Sequence, residues 1–108
     1  MRCKHWILPF LFAWVLWVQR ETIDVGEAKY DRGWQVESAY PDNGYAQCID
    51  DARTLATKEV EASKNMPNVK HAENFRMVGQ REFVYIELKR GGAIYKMYVC
   101  FPDTVKPN

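Results

Sequence analysis

Two cysteines, Cys48 and Cys100, are the residues in this chain whose type and spacing point most directly to chemistry. If they reach an oxidising compartment, an even number of cysteines there implies a disulfide bond. Closing a loop of about 50 residues would stabilise a small fold by roughly 4 kcal/mol in the chain-entropy model. The alternatives are two buried thiols or a redox pair, and the absence of a Cys-x-x-Cys motif argues against the redox pair. Cys3 precedes an apolar run, so it is not placed for lipidation.

The other candidate groups are weaker. Asp50 and Asp51 are adjacent, and adjacent carboxylates on a helix point about 100° apart, which suits neither a shared metal ion nor a shared proton. Negative charge near the start of a helix is explained by the helix dipole. Outside the N-terminal segment, His71 is the one histidine, so a Ser–His or Cys–His pair has no other base. No zinc-ligand spacing or glycine-rich phosphate loop is present. We therefore predict no catalytic, cofactor or metal site.

The N-terminal segment is basic and then apolar. Residues 6–18 form a run of 13 uncharged residues, about 20 Å as a helix against roughly 30 Å for a hydrocarbon core. This predicts an N-terminal hydrophobic helix in residues 1–20, acting as a signal peptide or a membrane anchor, with an ordinary core helix as the alternative. Gly26 and Ala28 offer a weak cleavage site. Because the basic end stays cytoplasmic, the remainder of the chain is expected to be exported.

The rest of the chain is predicted to be a polar linker, residues 21–32, and one small domain, residues 33–108. From Glu21 onward there are 12 Lys and Arg against 14 Asp and Glu. No basic stripe of the kind that binds nucleic acid by counterion release is present, so nucleic-acid binding is excluded. The expected location is periplasmic or secreted, or anchored to the inner membrane through residues 6–18 if they are not cleaved.

The domain begins with a predicted strand and a predicted helix. The side chains of residues 33–40 alternate with the two-residue period of a half-buried strand. One face of this predicted strand carries Trp34, Val36, Ser38 and Tyr40. From about Tyr45 to Lys64 apolar or small residues recur with helical spacing, and the sequence predicts an amphipathic helix. Its stripe consists of Cys48, Ile49, Ala52, Leu55, Ala56, Val60 and Ser63. Asp42 or Asn43 is the predicted N-cap, and Pro67 prevents continuation.

The end of the domain is predicted to be strands. Residues 75–78 form a short strand, and residues 82–89 and 92–101 form a hairpin around a two-residue loop, Gly91-Gly92. That loop predicts a register with these pairs: Leu88–Tyr95, Glu87–Lys96, Ile86–Met97, Tyr85–Tyr98, Val84–Val99 and Phe83–Cys100. One face of the hairpin is then aliphatic and the other aromatic.

This register creates a conflict. Cys100 falls on the aromatic face, so a helix covering the aliphatic face leaves Cys100 pointing away from Cys48 unless a bulge re-aims it. A helix covering the aromatic face leaves an aliphatic patch exposed, and such a patch would meet a partner or a membrane surface. We take as the candidate interaction surface the residues Phe83, Tyr85, Tyr95, Met97, Tyr98 and Val99.

The layout resembles that of small exported bacterial proteins with a two-cysteine α+β domain, to which no activity is assigned. The residues that carry the resemblance are the W-x-V strand at Trp34, the cysteine in the helix, and the ending Tyr98-Val-Cys-Phe-Pro-Asp-Thr. It implies a cell-envelope location and a disulfide bond. The order of elements also resembles that of PepSY-type exported modules, which are associated with protease inhibition.

The sequence thus predicts an α+β fold, with one amphipathic helix packed on a three- to four-stranded antiparallel sheet in the order β-α-β-β-β. The predicted function is a non-enzymatic, exported binding module for a protein or envelope component. Two alternatives remain open: a membrane-tethered structural subunit of an envelope complex, and a small periplasmic hydrolase inhibitor.

Overall fold

The computed structural model describes the backbone of residues 13–24 and 27–107 and the side chains of residues 13–23 and 33–107. Its elements are β1 (Trp14–Asp24), β2 (Glu27–Tyr40), α1 (Tyr45–Lys64), β3 (Val69–Met77), β4 (Arg81–Leu88) and β5 (Ala93–Pro102). The strands form one antiparallel sheet in the order β2-β1-β5-β4-β3. A helix on an antiparallel sheet is therefore confirmed, but the described sheet has five strands rather than three or four.

The additional strand, β1, lies in the N-terminal region. The sequence predicts an N-terminal hydrophobic helix in residues 1–20, yet residues 14–20 belong to a strand that pairs with β2 on one side and β5 on the other. Residues 1–12 of that predicted helix lie outside the described residues. The predicted linker is also strand, in residues 21–24 and 27–32. The segment is rich in β-branched and aromatic residues, which suit a sheet once neighbouring strands are present. Within the described residues, no helix has the length and apolar character needed to cross a membrane.

The helix α1 has the predicted bounds, and the side chains buried against the sheet are those of Cys48, Ala52, Ala56, Val60 and Ser63. Its N-cap is Gly44, without a side-chain cap, rather than Asp42 or Asn43. A Cβ at Gly44 would lie 2.8 Å from the Cβ of Tyr40. The close approach of these two backbone segments therefore requires glycine at this turn.

The hairpin of β4 and β5 is confirmed, but its loop and register differ from the prediction. The Leu88 N–H donates to the Gly92 carbonyl (3.1 Å), and the Gly91 N–H donates to the Leu88 carbonyl (3.1 Å). The loop is therefore residues 89–91, with Gly91 in the left-handed region at φ 98°. Loops of this length end on such a residue. Because the glycines serve a three-residue loop instead of a two-residue one, the strands meet in a different register.

The new register exchanges the two faces of β5 relative to β4. Tyr85 pairs with Tyr95 instead of Tyr98, and a shift of three residues, being odd, turns every β5 side chain to the opposite side. Cys100 now shares a face with the buried aliphatic residues of β4, which are Val84, Ile86 and Leu88. The conflict between the aliphatic face and Cys100 disappears, and α1 covers both.

The disulfide bond joins Cys48 of α1 to Cys100 of β5, with an S–S distance of 2.05 Å and a sequence separation of 52. Cys48 is completely buried, and Leu16, the β1 partner of Cys100, is as well. The covalent link therefore passes through the core and joins the helix to the central strand, β5.

Candidate functional site

The side of the sheet opposite α1 is the candidate interaction site, and we call it the open face. Strand alternation from Leu16, which faces α1, assigns to the open face Trp17, Gln19, Glu21 and Ile23 of β1; Tyr95, Met97 and Val99 of β5; Phe83 and Tyr85 of β4; and Phe75 of β3. No described helix covers this face. Its side chains lie in cross-strand rows, because directly paired residues of neighbouring strands point to the same side.

One row of the open face combines tyrosines with carboxylates. Across β1, β5, β4 and β3 the paired residues are Glu21, Tyr95, Tyr85 and Glu73. The two tyrosine rings lie 5.1 Å apart between centroids and are tilted by 45°. Local desolvation, followed by the charge of Glu87, raises the pKa of Tyr85 above its usual value. The row presents two aromatic faces between carboxylates, an arrangement that attracts cations.

The next row is apolar at its centre. Gln19, Met97, Phe83 and Phe75 pair in sequence across the same four strands. The Phe75 and Phe83 rings lie 5.6 Å apart, and Phe75 is 41 % exposed. Exposed aromatic side chains of this kind are enriched at protein interfaces.

A shallow groove of about 250 Å³ connects the two rows. Its walls include Ile23, Phe83 and Met97, and Glu21 and Tyr95 lie at its charged side. Lys96 also borders the groove, but its ammonium group bonds Glu59 of α1 at 3.1 Å, on the other side of the sheet. The groove is smaller than the roughly 300–1,000 Å³ of small-molecule sites, and it is of a size for a single side chain of a partner.

The structure places the predicted surface residues on two sides of the sheet. Phe83, Tyr85, Tyr95 and Met97 lie on the open face; Val99 lies there too but is only 2 % exposed. Tyr98 faces α1 and is buried, so the structure removes it from the predicted surface, and the reason is the shift in register.

Sequence reasoning missed members of the open face that lie in β1 and β3, including Glu21, Glu73, Phe75 and Trp17. Phe75 lay in a recognised strand, whereas the strand around Glu21 was not recognised.

Of the adjacent carboxylates Asp50 and Asp51 on the helix, Asp51 has a structural role. Asp51 accepts hydrogen bonds from the Tyr40 hydroxyl at 2.6 Å and from Gln47 Nε2 at 2.7 Å. Asp50 and Asp51 lie beyond the first turn of the helix, so the dipole explanation does not hold for them. Among the described residues, no group of three or more potential metal ligands is found.

A buried charge lies on the helix side of the sheet. The Glu82 side chain is 3 % exposed and lies 2.9 Å from Arg76 Nε and 3.8 Å from Arg53 Nε. Both arginine side chains are about half exposed. A buried carboxylate needs such partners to offset its desolvation, so this cluster is explained as structural.

His71 is exposed, and its Nε2 lies 3.6 Å from Glu73 Oε1. The histidine borders the tyrosine row, since its ring centroid is 6.4 Å from that of Tyr85.

Comparisons with protein-family models, with curated proteins and with solved structures find no match to this chain.

Proposed function

We propose that this protein is an exported, non-enzymatic binding module that holds a partner protein against its open face. The observation that carries the proposal is the row of Tyr95 and Tyr85 between Glu21 and Glu73, beside an apolar row and a groove. Contiguous aromatic residues that are partly exposed on a small domain are typical of interaction sites.

The partner is a protein with a cationic segment. An arginine or lysine placed over the tyrosine pair gains a cation–π interaction and lies near the carboxylates of Glu21 and Glu73. The aliphatic part of such a side chain also fits the apolar walls of the groove. An acidic segment would meet like charge at both ends of the row.

Export is supported by the disulfide bond and by the basic and apolar start of the chain. Disulfide bonds persist in oxidising compartments and are rare in a reducing cytosol. The location is periplasmic or secreted, or at the inner membrane. Removal of an N-terminal signal peptide stays a prediction. Cleavage near Lys29 would remove β1, with the fully buried Leu16 and with Glu21 of the open face, so the proposed binding face requires the uncleaved chain.

Binding is tested with a synthetic peptide that alternates arginine and leucine, and with a matched peptide that alternates glutamate and leucine. Fluorescence anisotropy of each labelled peptide with the oxidised protein should show binding of the arginine peptide alone. The affinity should fall with added salt, because screening weakens exposed charge pairs. Tyr95→Ala should weaken binding by about threefold to tenfold, and Glu73→Gln by about twofold to fivefold.

The matched control is Glu61→Gln, which removes a carboxylate from an exposed position on the helix and should leave binding unchanged. Equal binding of both peptides, or equal weakening by Glu61→Gln and Glu73→Gln, would contradict the proposal. The location is tested separately by the intact mass of the protein isolated from its native cells without a reductant. A mass that corresponds to free thiols at Cys48 and Cys100, instead of a disulfide bond, would contradict export.

A further inference from the structure

The helix covers only part of its own side of the sheet, and the uncovered part contains a second concavity. This cavity of about 300 Å³ lies between β2, β1 and β5. Its polar lining includes Arg20, Gln35, Glu37, Lys96 and Tyr98. It is separate from the open face, since it lies on the opposite side of the sheet.

Irregularities of β2 shape this cavity. The pairing of β2 with β1 shifts between Leu16 and Trp17, and again between Val18 and Arg20. The first shift inserts Glu37 as an extra residue, and the second inserts an extra residue at Gly33 or its neighbour. Bulges re-aim side chains and increase the local twist of a strand. They also explain why residues 33–40 do not keep one face: Val36 is 58 % exposed, whereas Tyr40 is buried.

Tyr98 supplies a polar group to the cavity. The residue is 4 % exposed as a whole, and within the described part of the chain its hydroxyl has no protein hydrogen-bond partner. The hydroxyl is not among the buried side-chain atoms that lack a partner, so its oxygen is open to the cavity. Burial, with smaller contributions from the carboxylates of Glu59 and Glu37, raises the pKa of Tyr98 to about 12. The hydroxyl is therefore a neutral donor at physiological pH. An accessible hydroxyl on a concave surface can donate to, and accept from, water or a polar ligand.

Among the described side chains, the charges around the cavity compensate one another. Lys96 is the cross-strand partner of Arg20, which places two cations side by side. Lys96 Nζ bonds Glu59 Oε1 at 3.1 Å, Arg20 has an interaction of its own, and Glu37 adds a second carboxylate. An anionic ligand would meet Glu37, and a cationic ligand would meet Lys96 and Arg20. A neutral ligand meets neither penalty.

We infer that this cavity binds a small, neutral molecule rich in hydroxyl groups, of the size of a monosaccharide. Its polar lining offers donors at Tyr98 and Lys96, acceptors at Glu37, and both at Gln35. A hydroxyl group can donate and accept at one atom, so adjacent hydroxyls match this mixture. The volume is at the lower end of the range for small-molecule sites, which fits a ligand of about one sugar ring.

The inference is tested on the oxidised full chain by heteronuclear NMR. The probes are glucose, galactose, mannose and N-acetylglucosamine, each titrated separately, with acetate, inorganic phosphate and ethylammonium as charged counterparts. At least one sugar should produce saturable shifts of the backbone amides of Arg20, Gln35, Lys96 and Tyr98, with no matching change around Tyr85 on the open face.

Two variants assign the shifts to the cavity. A Cβ at Gly33 would meet no atom within 4 Å, so Gly33→Leu should fold and obstruct the cavity, abolishing sugar binding. Its control is Ala39→Leu, an exposed position of the same strand, which should bind normally. Tyr98→Phe should lower the affinity by about threefold to tenfold through the loss of one hydrogen bond.

Several results would overturn the inference: no sugar producing saturable shifts, acetate or phosphate binding in preference to sugars, or Tyr98→Phe binding sugar as well as the parent protein does. If Gly33→Leu fails to fold, the Tyr98→Phe comparison decides alone. Because the open face plays no part in this binding, loss of the arginine-peptide interaction would leave the sugar result unaffected.

Discussion

Two buried tyrosines on the helix side of the sheet should respond differently to loss of their hydroxyl groups. The Tyr40 hydroxyl donates to Asp51 Oδ2 at 2.6 Å, whereas the Tyr98 hydroxyl faces the polar cavity and has no described hydrogen-bond partner. The two residues are 7 % and 4 % exposed, so burial of the rings is similar. Tyr→Phe removes the same atom at both sites and retains the ring.

The free-energy difference follows from the partner of each hydroxyl. A hydrogen bond to a charged group contributes about 1.5–3 kcal/mol to stability. Asp51 retains its bond from Gln47 in the variant, so Tyr40→Phe should cost about 1.5 kcal/mol, at the lower limit. Tyr98→Phe deletes no protein hydrogen bond, and its free energy of unfolding should stay within about 0.5 kcal/mol of the parent value.

Urea unfolding of the oxidised proteins, followed by circular dichroism, measures both values. The slope against urea should be unchanged, so that the difference appears in the midpoint. Tyr45→Phe, at an exposed position, is the control for the substitution itself. Equal losses at Tyr40 and Tyr98, or a larger loss at Tyr98, would refute the hydrogen-bond assignment and with it the description of the Tyr98 hydroxyl as unpartnered.

Three further outcomes are expected. Reduction of the Cys48–Cys100 bond, which closes a separation of 52 residues, should lower the free energy of unfolding by about 4 kcal/mol in the chain-entropy model; a loss below about 1 kcal/mol in urea unfolding would contradict it. Glu82→Gln should cost about 1–3 kcal/mol because a charge-assisted bond is lost, and an unchanged urea midpoint would argue against the ion pair. Burial raises the pKa of Tyr40 and of Tyr98 from 10.0 to about 12. The fold therefore favours their neutral forms, and the resulting stability is complete below pH 10.0 and is lost as the pH rises through about 12; tyrosinate absorbance that rises fully near pH 10 in folded protein would exclude the shift.

Local patterns were sufficient for some elements. The stripe from Cys48 to Ser63 defined both the bounds and the buried side of α1, since a period of 3.6 residues is visible without knowledge of the partner surface. The glycines at 91 and 92 identified the hairpin. The same glycines misled the prediction of its register, because two-residue and three-residue loops both use glycine and only the strand pairing distinguishes them.

The candidate site could be predicted only in part. Phe83, Tyr85, Tyr95 and Met97 were among the predicted surface residues, which were taken from both faces of the predicted hairpin. Both faces of these strands carry apolar side chains, so alternation alone could not tell which face the helix covers. The carboxylates that flank the tyrosines come from β1 and β3, and their position depends on strands that are distant in the sequence.

The sequence by itself determined that this chain has an amphipathic helix, a C-terminal hairpin and two cysteines suited to a disulfide bond. These features depend on residues that are near one another or on the cysteine count. Tertiary structure decided the rest: the place of β1 between β2 and β5, the side to which Cys100 points, and the cavity beside Tyr98. The physical reason is that a shift of an odd number of residues exchanges the faces of a strand. Only the simultaneous pairing of β5 with two neighbours, together with its link to α1, selects one register.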